Sequence, residues 1–161
     1  WFGGEPLMAF SKMKKLNEQL KGIAISRNLK YSGHITTNGY ALSPSIYKML
    51  KEEFNVYRIE ITLDGSKEFH DKRRVTTSGI GSFDIIFNNL KAITQSPFYD
   101  KNTSVISIRC TVDERNIEGV MPLLEMLYKH NMQDKIIFYT TPVVSWSNNG
   151  AGSMLGHKLL G

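Results

Sequence analysis

Residues 59–65 read Ile-Glu-Ile-Thr-Leu-Asp-Gly. Strand side chains alternate with a period of two, so Ile59, Ile61 and Leu63 share one face while Glu60, Thr62 and Asp64 share the other. Asp64-Gly65 supplies the stop. A parallel strand covered by helices on both faces reads as a nearly continuous apolar run, and this one does not. The neighbouring strand segments repeat the pattern. Ser32, His34, Thr36 and Asn38 fall together before it, and after it Ser107, Arg109 and Thr111 stand opposite Ile106, Ile108, Cys110 and Val112. Three successive strands with one polar face predict a curved sheet or barrel whose concave side is wet or holds a polar ligand, since an ordinary barrel interior is filled with branched apolar residues. The competing reading is a small closed core in which these polar groups bond one another.

Around this segment, short β-branched runs alternate with helical patterns, the signature of repeated βα units. A strand is expected to end at Trp1-Phe2. Gly3-Gly4-Glu5-Pro6 then turns the chain into a helix from about Leu7 to Arg27, with Leu7, Met8, Phe10, Met13, Leu16, Leu20 and Ile23 as its apolar stripe. A strand over residues 31–37 stops at Asn38-Gly39, and Ser43-Pro44 opens a helix in a cap-then-proline arrangement. Val56 to Leu63 forms the next strand. Residues 66–81 are polar, basic and longer than an ordinary βα loop, which suggests function there. Helix 82–94, strand 104–112, helix 116–130 and strand 135–140 complete a series of about five parallel strands and four helices, an α/β partial TIM-like barrel over residues 1–144. Residues 145–161 read as an irregular tail leading on to further chain.

Composition narrows the function classes. At 161 residues, 41% hydrophobic and 22% charged, the chain is that of an ordinary single globular domain. There is no membrane-length apolar run and no basic-then-apolar leader, so a cytoplasmic protein is expected. The net charge of +5 comes from Lys and Arg scattered along helical segments, which argues for a solvated surface rather than a nucleic-acid partner. Cys110 is the single cysteine. An internal disulfide and a multi-thiolate metal site are excluded within these residues, and no metal ligands or catalytic side chains are assigned. His34 and His70 lack a second ligand at metal spacing and read as structural or surface residues, and Cys110 as a small buried hydrophobe.

In βα barrels the chemistry gathers at the carboxyl ends of strands. Here those ends are Gly3-Gly4-Glu5-Pro6, Thr37-Asn38-Gly39, Thr62-Leu63-Asp64-Gly65 and Arg109 to Glu114. Paired glycines let backbone approach a ligand, although a plain strand-to-helix turn explains Gly-Gly-Glu-Pro equally well. Asp64 reads as a turn former or as a ligand contact. The segments 1–8 (Trp-Phe-Gly-Gly-Glu-Pro-Leu-Met), 37–39, 61–65, His70-Asp71-Lys72-Arg73-Arg74-Val75 and Gly81-Ser82-Phe83-Asp84 together resemble radical S-adenosylmethionine enzymes. The likeness is to the branch of anaerobic sulfatase-maturating and SPASM-type peptide-modifying members, and it extends from residue 1 to about residue 143.

The resemblance implies an oxidoreductase with a (β/α)6 core, of which this chain is the central part. It implies that Gly3, Gly4 and Glu5 receive the amino group of S-adenosyl-L-methionine with Pro6 fixing the turn. Thr62, where relatives often carry serine, would bond the ribose or carboxylate, with Asn38 and Asp64 nearby. Arg74 or Arg109 would take the carboxylate, a task suited to a guanidinium. It also implies a [4Fe-4S] cluster on a Cys-x3-Cys-x2-Cys segment outside this chain and a 5′-deoxyadenosyl radical acting on a protein or peptide substrate. An electron donor such as flavodoxin or ferredoxin would serve the full enzyme, and the fragment alone would be inactive. The reading from another class is a non-catalytic α/β module binding a nucleotide or nucleic acid through its positive surface. A third, a sugar-phosphate barrel enzyme, would use Ser147, Asn148 and residues 150–153 as its phosphate loop.

Overall fold

The computed structural model describes residues 1–143. The tail and the suggested phosphate loop at Ser147, Asn148 and residues 150–153 lie outside the described residues. Four parallel strands, β1 (Gly33–Thr37), β2 (Val56–Thr62), β3 (Val105–Val112) and β4 (Ile136–Pro142), lie side by side in sequence order. Five helices connect and flank them: α1 (Phe10–Ser26), α2 (Pro44–Glu52), α3 (Lys67–Arg73), α4 (Phe83–Thr94) and α5 (Val120–Lys129). Sequential order with every crossover between neighbours is the topology of a barrel segment.

Two counts differ from the sequence expectation. The strand expected at Trp1-Phe2 is reduced to one residue: the Trp1 N–H donates to the His34 carbonyl and Thr36 N–H donates to the Trp1 carbonyl, a parallel ladder pattern alongside β1. The polar stretch 66–81 contains a further helix, α3, which shows no apolar periodicity because only Phe69 is a large apolar residue in it.

The helix-facing side of the sheet forms the core. Ile35, Ile59, Ile61, Leu63, Ile106 and Ile108 are essentially inaccessible and pack with Tyr47 and Leu50 of α2, Ile86, Leu90 and Ile93 of α4, and Leu123 of α5. Cys110 belongs to the same face and is fully buried. The register slips at Tyr57: Gly33 faces Val56 and the next residue, His34, faces Arg58. The extra residue lets Val56 join the core beside Ile59 while Arg58, Glu60 and Thr62 keep the concave face.

The first helix departs from its expected stripe. Pro6–Ala9 is a 3-10 turn, and of the seven apolar residues only Leu7 and Met13 are buried, while Met8 is 86% exposed and Ile23 57%. In place of a broad apolar face, α1 anchors through Phe10 stacked on Phe54 and through buried Asn17, which donates to the Glu53 carbonyl at 3.0 Å and accepts from the Tyr31 hydroxyl at 2.8 Å.

Candidate functional site

The ends of β1, β2 and β3, the loop that carries Arg74 and the turn at residues 3–5 enclose an open hollow of about 430 Å³, lined by Gly3, Gly4, Glu5, Asn38, Thr62, Arg74 and Arg109 together with Phe2, Thr36 and Thr37. Seven of the nine residues singled out from the sequence therefore meet in one place. Pro6 and Asp64 are not among the lining residues. Pro6 opens the 3-10 turn, and Asp64 is fully buried behind the wall.

One wall is the glycine turn. Gly3 has φ +111°, a backbone conformation that side chains rarely adopt, and a Cβ built on Gly3 or Gly4 would meet no atom within 4 Å. The backbone of this turn is thus open to the hollow. The Glu5 carboxylate is engaged by its own chain: Oε1 accepts from Leu7 N–H at 3.0 Å and from the Thr37 hydroxyl at 2.7 Å, and Oε2 accepts from Asn38 N–H at 2.7 Å. Glu5 caps the following turn and pins it to the end of β1. Thr37, whose alternation points it away from the concave face, was named from the sequence only as part of the strand end 37–39, with no contact assigned to it. It reaches the site because β1 ends there, and its hydroxyl also accepts from Gly39 N–H.

The opposite wall is the long loop after β2. The Asp64 carboxylate accepts from Arg74 Nε at 2.6 Å and from Thr111 N–H at 2.8 Å, so Arg74 presents its remaining donors from a fixed root. His70 explains how the loop is held. Its Nδ1 accepts from Asp64 N–H at 3.1 Å, which puts the proton on Nε2, 3.0 Å from the Ser82 hydroxyl, and that hydroxyl donates to the Arg74 carbonyl. Burial drives the His70 pKa down to about 4, the nearby Asp64 carboxylate opposing the fall. Asp71 accepts from Phe83 N–H at 2.9 Å and caps α4. The basic stretch 66–81 is therefore a scaffold with one residue, Arg74, in the hollow.

The floor is charged. Arg109 lies 3.3 Å from Glu60, and its second amino group is 3.5 Å from the Thr62 hydroxyl, while its Nε is buried without a partner. Both candidate arginines thus carry a carboxylate from their own chain, but only Arg109 retains an unsatisfied buried donor.

No model of a known protein family matches the chain. Over 126 residues it is 33% identical to a cysteine-type anaerobic sulfatase-maturating enzyme of Clostridium novyi (strain NT), the match covering 73% of this chain. The chain is homologous to a segment of that radical S-adenosylmethionine enzyme. It spans about 30% of the length of that relative. The solved structure of native anSMEcpe with bound AdoMet matches with a TM-score of 0.67 at 22% identity, over 89% of this chain and 36% of that one. Native anSMEcpe with bound AdoMet and Kp18Cys peptide matches with a TM-score of 0.68 at 21% identity, over 93% and 39%. The four strands and five helices are thus a partial barrel with the architecture of part of those larger chains. Among the described residues no group of three His, Cys, Asp or Glu side chains could hold a metal ion, and no helix is long and apolar enough to cross a membrane.

Proposed function

We propose that the chain forms the S-adenosylmethionine-binding part of a radical S-adenosylmethionine enzyme that modifies a protein or peptide. The observation that carries this reading is the convergence of open glycine backbone, a hydroxyl and an under-satisfied guanidinium on one polar hollow at strand ends, in a chain homologous to a sulfatase-maturating enzyme. S-adenosylmethionine has an ammonium, a carboxylate and a ribose, and the hollow offers matching groups: backbone of Gly3 and Gly4, the guanidinium of Arg109 with Arg74 beside it, and the hydroxyl of Thr62 with Asn38. Of the two arginines, Arg109 is the better carboxylate partner, because it stands beside the Thr62 hydroxyl on the floor of the hollow while Arg74 is drawn to the fully buried Asp64 at 2.6 Å. Glu5 lines the hollow too, and its carboxylate holds the turn to the end of β1.

When bound beside a reduced iron-sulfur cluster, the cofactor supplies a carbon radical that abstracts hydrogen. The residues of this chain do not fit the cluster itself: Cys110 is the single cysteine and is fully buried, its thiol pushed up to about 11 by burial. The cluster ligands therefore belong to other parts of the protein, a partner protein of the flavodoxin or ferredoxin kind would supply the electron, and the 161 residues alone bind without turnover in a cytoplasmic setting. Calorimetric titration with S-adenosylmethionine tests the reading. Binding is expected in the wild type and is expected to weaken at least about ten-fold in Arg109→Gln, the effect of one charge-assisted hydrogen bond. No binding by the folded chain, or equal binding by both, would overturn it.

A further inference from the structure

The floor of the hollow contains an ion pair that makes fewer bonds than its two groups can. The register sets Glu60 beside Ser107 and Tyr139 beside Arg109 on the concave face. The buried Glu60 carboxylate meets two strong donors: Arg109 Nη1 stands 3.3 Å from Oε1, and the Tyr139 hydroxyl, reaching across β3, donates to Oε2. The Thr36 hydroxyl lies 3.5 Å from Oε1. An arginine beside a carboxylate commonly takes both oxygens through two parallel N–H bonds. Arg109 takes one. Its second amino group is directed instead at the Thr62 hydroxyl, 3.5 Å away at the end of β2, and its side chain stays 31% exposed on the hollow.

Tyr139 accounts for the single-oxygen grip. Oε2, the atom that a second Arg109 bond would need, already carries the tyrosine's proton. Burial, and after it the bond to Glu60, pushes the Tyr139 pKa up, so the hydroxyl remains a donor across the neutral range. Without that donor the carboxylate would have a free oxygen in a poorly hydrated place, where an unmade bond is costly. A guanidinium already touching the other oxygen satisfies it by turning its second amino group. That turn takes the amino group off Thr62 and out of the hollow. Glu60 is therefore both the support of Arg109 and the anion that competes for it.

We infer that Tyr139 is a positioning residue: by occupying one oxygen of Glu60 it holds Arg109 to a single bond with that carboxylate and keeps the second amino group turned toward a ligand carboxylate in the hollow. Tyr139 is not among the residues that line the hollow, so it acts through Glu60. The hold on Arg109 stands on these contacts alone; that the ligand is S-adenosylmethionine rests on the function proposed above.

The test compares wild type, Tyr139→Phe and the double variant Tyr139→Phe/Glu60→Gln by calorimetric titration with S-adenosylmethionine and by the nitrogen resonances of the Arg109 guanidinium. Tyr139→Phe keeps the ring and loses only a hydroxyl, so the fold is retained. It is expected to bind about ten-fold more weakly, the equivalent of one charge-assisted hydrogen bond. Its Arg109 amino groups should rotate more slowly, the signature of a two-bond grip. The double variant should recover to within about three-fold of wild type, because glutamine offers no second anionic oxygen to capture the guanidinium; a merely structural tyrosine would give additive loss instead. Where wild type binds, unchanged affinity in Tyr139→Phe or no recovery in the double variant would overturn the role of Tyr139, as would unchanged Arg109 resonances whether or not wild type binds. Slowed Arg109 rotation in Tyr139→Phe with no S-adenosylmethionine binding by wild type would leave the hold standing and the cofactor reading overturned.

Discussion

The two walls of the hollow are built on different principles. The wall at residues 64–82 is a buried network: Asp64, His70 and Ser82 are each at most 8% exposed, and they bond one another and the root of Arg74. The wall at residues 3–6 has no such backing. Gly3 and Gly4 are exposed, and one half-buried carboxylate, Glu5, ties the turn to β1 through Thr37 and Asn38. The comparison teaches that one side of the site is preorganised by its own interior and the other by a single clamp, so the first should fail globally and the second locally.

Acid should expose that difference most strongly. His70 is held near a pKa of about 4 in the folded chain against about 6.5 when unfolded. Its contribution is fully present above the unfolded value and is lost as pH falls through that window, because the unfolded chain takes up the proton first. Denaturant titrations from pH 7 to pH 4 should show about 3 kcal/mol of extra destabilisation from this source. His70→Gln, whose amide can accept from Asp64 and donate to Ser82, should be less stable at pH 7 but lack that acid-dependent loss. An identical pH profile in the two proteins would remove His70 from the wall's design.

Arg74→Ala should cost about 2 kcal/mol of global stability, less than the full penalty for stranding a buried carboxylate because Arg74 is partly exposed and Thr111 N–H still serves Asp64. A melting temperature unchanged in Arg74→Ala would mean that the loop is held without the pair. Glu5→Gln, on the other side, should leave global stability within about 1 kcal/mol of wild type. It should speed hydrogen exchange at the amides of Leu7 and Asn38, which donate to the carboxylate. Faster exchange throughout the core would contradict the picture of a local clamp.

Much of this arrangement was legible in the sequence. Alternation in residues 59–65, repeated before and after, separates an aliphatic face from a polar one, and Ile59, Ile61 and Leu63 are indeed fully buried against helices. The glycine turn, Asn38, Thr62 and Arg109 could be gathered to one end because strand ends of a parallel barrel coincide, whereas Arg74 was placed with them only by the resemblance of its loop. Helix α3 was not legible, because its residues bury through His70 and polar bonds rather than an apolar stripe. The exposure of most of the α1 stripe was equally invisible, since a helical pattern gives a face but not the neighbour that covers it. Thr37 stood in a named strand end but was given no contact of its own, because alternation governs a strand and lapses at its end.

The sequence by itself determined which side chains share a face and which segments end in turns, because period and turn chemistry are local properties of the chain. Only the tertiary structure decided which polar groups are already satisfied: that Asp64 belongs to Arg74, that Glu5 closes on Thr37 and Asn38, and that Arg58, Ser107 and the Nε of Arg109 are left wanting. Hydrogen bonding depends on distances of a few tenths of an ångström between residues up to dozens of positions apart, and no pattern along one strand encodes that.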